Sequence, residues 1–181
     1  MQSLRQRRSR LFLGAAMLLA AALLVGAAAS LLNPSRGPGP LQNTSSTTVA
    51  FVVAPGEAMT WGADLPPNTT SSDIAIQSVD VVDPRGVEIL GTSMIRPDVS
   101  GGIVTAPDYP PSGVETFPVP GAVITPSDGA SPFLEVLTGV ELSPGSAEGS
   151  ISGLRIQYLA GGQEHELLLQ QSLTLSSSAQ S

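Results

Sequence analysis

The sequence predicts an all-β protein: an antiparallel, immunoglobulin-like β-sandwich of about seven to nine strands, preceded by a single N-terminal transmembrane helix. Residues 11–32 form one long apolar stretch without charge. Beyond residue 32, no stretch of ten or more residues places apolar side chains at helical spacing. Short apolar runs alternate there with turns that are rich in glycine and proline, since 17 of the chain's 19 glycines and all 16 prolines lie beyond residue 32. Because such strands must bury one face against a second sheet, a sandwich is favoured.

The apolar stretch at residues 11–32 is long enough to span a membrane. At about 1.5 Å per residue it makes a helix of roughly 33 Å, against a hydrocarbon core of about 30 Å. Four arginines lie within residues 1–10, so the positive-inside rule places this end in the cytoplasm and the rest outside. The alternative is a signal peptide cleaved near Ala29, because Ala27-Ala28-Ala29 resembles a cleavage site. The length favours an uncleaved anchor.

Composition divides the chain into five predicted parts. They are a cytoplasmic basic head (1–10), a signal-anchor helix (11–32), a Pro/Gly/Ser/Thr linker (33–48), an extracytoplasmic β-sandwich domain (49–175) and a disordered tail (176–181). The predicted partners are the lipid bilayer, through residues 11–32, and a protein of the cell envelope.

Strands are expected wherever apolar residues cluster between turn residues. The predicted runs are 49–53, 58–62, 74–82, 87–90, 133–142, 151–160 and 163–169, with short pieces at 102–105, 114–117 and 122–125. The sequence Asp83-Pro84-Arg85-Gly86 is typical of a type I turn, which predicts a hairpin between 79–82 and 87–90. The alternation of apolar residues changes phase near Ser78, which predicts a bulge.

The C-terminal hairpin has a predicted register. Gly161-Gly162 supplies the positive φ angles of a two-residue turn, so Ala160 lies opposite Gln163 and Tyr158 opposite His165. This register gives one apolar and one largely polar face on both strands. Residues 133–142 are predicted to form one strand, in which Leu134, Val136, Thr138, Val140 and Leu142 face one way.

Charge is divided between the two ends of the chain. All eight basic residues are arginines, four of them before residue 11, whereas all 15 acids lie beyond residue 32. Such an acidic domain lacks the clustered cations that nucleic-acid binding needs, so no nucleic-acid partner is predicted. There is no cysteine, which excludes disulfides and thiol chemistry. No cofactor and no metal site is predicted.

Catalytic motifs are weak throughout. His165 is the only histidine and no G-x-S-x-G sequence presents a serine nucleophile, so His165 is interpreted as a packing residue. The acids lie singly and no pair stands out for glycoside hydrolysis. The only tryptophan, Trp61, lies in a predicted strand and is expected in the core. The chain is therefore predicted not to be an enzyme and to have no catalytic residue.

A long Pro- and Gly-rich loop at residues 96–130 is the predicted binding site, because loops of this length in compact domains tend to be functional. Tyr109 is expected to be exposed, since acidic and proline residues flank it. The predicted partner-binding residues are Asp98, Asp108, Tyr109, Pro110 and Glu115.

The predicted function is a membrane-tethered, extracytoplasmic binding module of the cell envelope, non-enzymatic, which acts as an accessory protein-interaction subunit. Two alternatives remain open: a secreted binding domain released by cleavage near Ala29, and an envelope glycan hydrolase that uses two carboxylates.

Overall fold

A computed structural model describes residues 39–43, 46–54, 56–97, 105–127 and 134–177. The predicted basic head (1–10) and transmembrane helix (11–32) lie outside these ranges. Within them the chain forms eleven strands and no helix that is long and apolar enough to cross a bilayer. The strands are β1 (Thr47–Val53), β2 (Met59–Asp64), β3 (Ile74–Val82), β4 (Val87–Ile95), β5 (Thr105–Pro107), β6 (Val123–Ile124), β7 (Glu135–Leu142), β8 (Glu148–Ile151), β9 (Gly153–Ala160), β10 (Gln163–Leu169) and β11 (Gln171–Ser177).

The strands form three hydrogen-bonded sheets around one core, which confirms the predicted all-β sandwich class. Sheet 1 has the order β1-β11-β8, sheet 2 the order β10-β9-β3-β6, and sheet 3 the order β4-β7-β2-β5. All pairings are antiparallel except that of β1 with β11, which is parallel. Short strands at the sheet ends bring the described total above the predicted seven to nine.

The core takes side chains from all three sheets. Trp61 on β2 is fully buried, as predicted, and belongs to the same apolar cluster as Tyr158 and Ile156 of β9. Leu173 of β11 is also fully buried there. Since burial of an apolar side chain contributes about 1.5–3 kcal/mol, this shared cluster is the main force that holds the sheets together.

The C-terminal hairpin has the predicted register at every position. Tyr158 lies opposite His165, and Ala160 opposite Gln163. Gly161 and Gly162 have φ angles of 58° and 77°, the left-handed values that the two-residue turn requires. The pattern of alternating faces is therefore sufficient to determine how these two strands align.

Two irregularities bend the longer strands. The predicted bulge in β3 is present, because the register against β9 shifts between Ile76 and Ser78. A second, unpredicted shift occurs in β4 between Ile89 and Gly91, where Leu90 is the extra residue and is 42% exposed. Such bulges strengthen the local twist and disrupt the regular hydrogen-bonding edge of a strand.

The predicted hairpin between residues 79–82 and 87–90 is wrong. β3 pairs with β9 and β6, whereas β4 pairs with β7 in a different sheet. The intervening residues cross between sheets along β8: Arg85 and Ser150 exchange two backbone hydrogen bonds of 2.9 and 2.8 Å. Asp83 and Gly86, at the two ends of this segment, both have positive φ angles.

The folded part extends beyond both predicted boundaries of the domain. Residues 39–43, here called the entry segment, fall within the predicted linker, yet Leu41 is 2% exposed and belongs to the core cluster. At the other end, β11 continues to Ser177, inside the predicted tail. Leu41 was missed because one apolar residue among Pro, Gly and Asn shows no periodicity.

Neighbouring leucines on β10 test the assignment of faces. Leu169 is 1% exposed and Leu168 is 45% exposed, on opposite sides of the same strand. Leu169→Ala should lower the free energy of unfolding by about 2–5 kcal/mol, and the control Leu168→Ala by less than about 1 kcal/mol. Urea unfolding measures both; equal losses would contradict the register.

Candidate functional site

Part of the predicted binding loop lies against the outer face of sheet 3, the face directed away from the core. The amide of Asp108 donates to the carbonyl of Ala58 at 3.2 Å, and the Thr60 hydroxyl donates to the carbonyl of Asp108 at 2.5 Å. Asp108 has a left-handed φ of 67°. These contacts turn the chain after β5 back over the sheet.

Tyr109 is half-buried, contrary to the expectation of an exposed aromatic residue. Its ring lies directly on Gly139 of β7 and Gly91 of β4, which are opposite each other in the sheet. A Cβ atom on Gly139 would overlap this ring, so the absence of a side chain there makes room for it. Tyr109 therefore has a packing role that its flanking residues do not reveal.

Residues that lie over the outer face of sheet 3, such as Tyr109, also explain why β7 is buried on both sides. Residues 134–140 are all buried, including Leu137 at 0% and Glu135 at 1% exposure, although alternation places both on the outer face. Four of the five residues predicted to face one way lie in the core cluster (Leu134, Val136, Val140 and Leu142), and the opposite face is buried as well at Glu135 and Leu137. Residues elsewhere in the chain supply the second cover, and the pattern within one strand cannot record them.

The other predicted binding residues do not form one cluster in the described part of the chain. Asp98 lies outside the described residues. Pro110 follows a cis peptide bond and is exposed beside Tyr109, and Glu115 is exposed two residues before Phe117. Their role in partner binding stays a prediction.

Sequence reasoning missed an open groove beside Arg96, at the end of β4. This Arg96 groove has a volume of about 300 Å³ and is lined by Arg96, Phe117, Pro118, Pro120, Gly121, Ala122 and Val123. The guanidinium carbon lies 5.7 Å from the centroid of the Phe117 ring, and Nη2 donates to the carbonyl of Val123 at 3.3 Å. The groove combines one cation with an apolar lining, which suits a ligand with both characters.

His165 is packed against Tyr158, with ring centroids 5.4 Å apart and planes inclined by 30°. Gly39 of the entry segment lies on both rings, and a Cβ atom there would overlap them. The Leu41 amide donates to Tyr158 Oη at 3.2 Å. Burial raises the pKa of Tyr158, and hydrogen bonds from the backbone of Leu41 and Gly39 offset part of that rise. These contacts bind the entry segment to the C-terminal hairpin.

One pair of acids is brought together on sheet 3. Asp64 of β2 lies opposite Glu135 of β7. Asp64 is exposed as a whole residue, but its carboxyl group is partly shielded from water, and this desolvation raises its pKa. Across the described ranges, no three His, Cys, Asp or Glu side chains converge as a metal-binding group.

Comparisons with known proteins find distant structural similarities. No family model matches the chain, and no curated protein matches it. The ASH/PapD-like domain 7 of human CEP192 is similar with a TM-score of 0.37 and 13% identity, over 80% of this chain and 92% of that domain. CfaE, the adhesive subunit of the CFA/I fimbria of enterotoxigenic Escherichia coli, is similar with a TM-score of 0.36 and 12% identity, over 76% of this chain and 49% of CfaE.

The contact of Tyr109 with Gly139 can be tested by a double-mutant cycle. Gly139→Ala should destabilise the protein by about 1–3 kcal/mol, because the new methyl group overlaps the ring. In a Tyr109→Ala background the same substitution should cost less than about 1 kcal/mol. Urea unfolding measures the four proteins. Additive costs would show that the ring does not lie on Gly139.

The raised pKa of Asp64 predicts pH-dependent stability. The folded state binds this proton more tightly than the unfolded chain, so ionised Asp64 destabilises the fold above its raised pKa. That cost vanishes as the pH falls below the unfolded value of about 4. Asp64→Asn should therefore raise the thermal midpoint at pH 7, with a gain that shrinks in acid. Asp73→Asn, in an exposed loop position, is the control; a gain independent of pH would contradict the assignment.

Proposed function

We propose that this chain is a membrane-tethered, extracytoplasmic binding module of the cell envelope, non-enzymatic, which acts as an accessory protein-interaction subunit. The observation that carries the binding role is the Arg96 groove, where an arginine side chain is fixed beside an apolar, proline-rich lining. Grooves with mainly apolar walls and a few placed polar groups are typical binding sites.

The tether is supported by the sequence of residues 11–32, which is apolar, uncharged and preceded by arginines. The acidic character of the remainder supports a soluble domain that anionic lipid headgroups repel. The domain would then stay off the bilayer surface and leave its groove accessible.

A non-enzymatic role is supported by the packing of the single histidine. Stacking against Tyr158 and cover by Gly39 hold His165 in a structural contact between the hairpin and the entry segment. The side chain most suited to proton transfer near neutral pH is thus used for packing.

Cell fractionation with mass spectrometry of the N-terminus tests the tether. We expect the full chain in the membrane fraction with its arginine-rich head intact, and cleavage of its C-terminal domain by protease added outside the cells. Leu19→Arg with Ala22→Arg should abolish membrane insertion, since each central arginine costs about 2.5–3.5 kcal/mol; Leu19→Val with Ala22→Val is the control. A mature protein that starts at Ser30 and accumulates in the medium would overturn the tether in favour of a secreted binding domain.

A second candidate function, an envelope glycan hydrolase, is favoured by the pair Asp64 and Glu135, since a carboxyl group with a raised pKa can act as a general acid. The full chain would then degrade cell-wall polysaccharide, and Asp64→Asn would abolish that activity. Lack of release of soluble sugars by the wild type would reject this alternative.

A further inference from the structure

Arg96 is held in place by two residues of the stretch 117–123. Its guanidinium lies over the Phe117 ring at 5.7 Å and donates one hydrogen bond to the carbonyl of Val123. A guanidinium stacked on an aromatic face is fixed in its plane, and less conformational entropy is lost when it binds a ligand.

The stretch that carries the Phe117 ring under Arg96 is hydrogen-bonded to strands of two sheets. Phe117 and Met94 exchange two backbone hydrogen bonds of 2.9 Å, which attach Phe117 to the end of β4. The following turn is attached to β3, because the Gly121 amide donates to Ile76 at 3.0 Å and the Ile76 amide donates to Ala122 at 2.8 Å. The groove is therefore preformed between the edges of two sheets.

Among the described residues, the Val123 carbonyl is the one recorded hydrogen-bond acceptor of the Arg96 guanidinium. A guanidinium has five N–H donors, and one of them reaches Val123. Within the described residues Arg96 has no carboxylate within ion-pair distance, whereas Arg155 lies 3.6 Å from Glu166. The forked donors of its guanidinium match a carboxylate.

The remainder of the lining defines what must accompany the carboxylate. Pro118 and Pro120 lack amide donors, so this wall offers apolar contact and no backbone hydrogen bond from these residues. A volume of about 300 Å³ is at the small end of ligand sites and accommodates only a few side chains. The acidic surface of the domain disfavours a ligand with a run of like charges.

We infer that the Arg96 groove binds a short extended peptide segment of a partner protein, with one acidic side chain on Arg96 and adjacent proline or other apolar residues on Phe117, Pro118 and Pro120. This inference rests on the proposed role as a binding module and specifies the partner's chemistry. An extended, proline-containing segment fits because it loses little conformational freedom on binding.

The experiment uses the full chain in phosphatidylcholine nanodiscs, labelled with ¹⁵N-arginine so that the Nε–Hε signal of Arg96 is observed by NMR. The probes are Ac-Gly-Pro-Glu-Pro-Val-Gly-NH₂ and its counterpart with Gln in place of Glu. A third peptide has Gln at that position and a free C-terminal carboxylate. We expect the Glu peptide to shift the Arg96 signal in a saturable manner and to bind at least about tenfold more tightly than both others.

Variants of the groove and of a distant arginine complete the test. Arg96→Gln should weaken binding of the Glu peptide, followed by methyl signals of the protein, by at least about tenfold, and Arg96→Lys by less. Arg85→Gln, an exposed arginine on the segment between β3 and β4, should leave binding unchanged. Thermal midpoints of all variants show whether each one is folded. If Arg96→Gln unfolds, the affinities of the wild type and of Arg96→Lys for the Glu peptide still test the inference, because the wild type should bind more tightly.

Three results would overturn the inference: an Arg96 signal that does not move up to about 5 mM Glu peptide, equal affinities for the Glu and Gln peptides, or preference for the free C-terminal carboxylate. Any of these with a membrane-tethered protein would reject the ligand and leave the proposed function standing. Arg96-dependent peptide binding by a protein found cleaved at Ser30 would reject the tether and leave the ligand assignment intact.

Discussion

The burial of β7 on both faces is the constraint on which the other features of this domain depend. A sandwich strand ordinarily presents alternate residues to the core and to water. Here the outer residues Leu137 and Glu135 are as well buried as the core residues, and glycines on two strands receive the ring of Tyr109. The chain after β5 must therefore lie over sheet 3 before it can continue to sheet 2. The Arg96 groove forms where the same part of the chain leaves β4 at Phe117 and reaches β3 at Ala122.

The sequence pattern within short stretches predicted those parts of the fold in which residues close in sequence contact one another. The C-terminal hairpin could be aligned residue by residue because Gly161-Gly162 fixes the turn and both faces alternate in agreement. The bulge at Ser78 could be located from a change of phase. The prediction for residues 83–86 failed for the converse reason: the composition suits a hairpin, but β3 and β4 each pair with strands that are distant in sequence.

The candidate site was less predictable than the strands. The length of the loop at residues 96–130 led to the prediction that Tyr109 binds a partner. The residues next to Tyr109 in the sequence do not show that glycines on β4 and β7 leave room for its ring. Arg96 is one arginine after an apolar strand, and its significance comes from Phe117 and Val123, more than twenty residues further along. A groove that forms between two sheet edges depends on the order of the strands in the sheets. This order was predicted less well than the positions of the strands in the sequence.

The parallel pairing of β1 with β11 has a mechanical consequence. Thr47, where β1 begins, lies beside Gln171, whereas Ser177, where β11 ends, lies beside Val53 at the far end of the pair. A force that pulls β1 by its start and β11 by its end acts along the strands in opposite directions. It therefore shears all the hydrogen bonds between them together instead of opening them one after another. A domain with this geometry is suited to bear load between an attachment before β1 and one after β11.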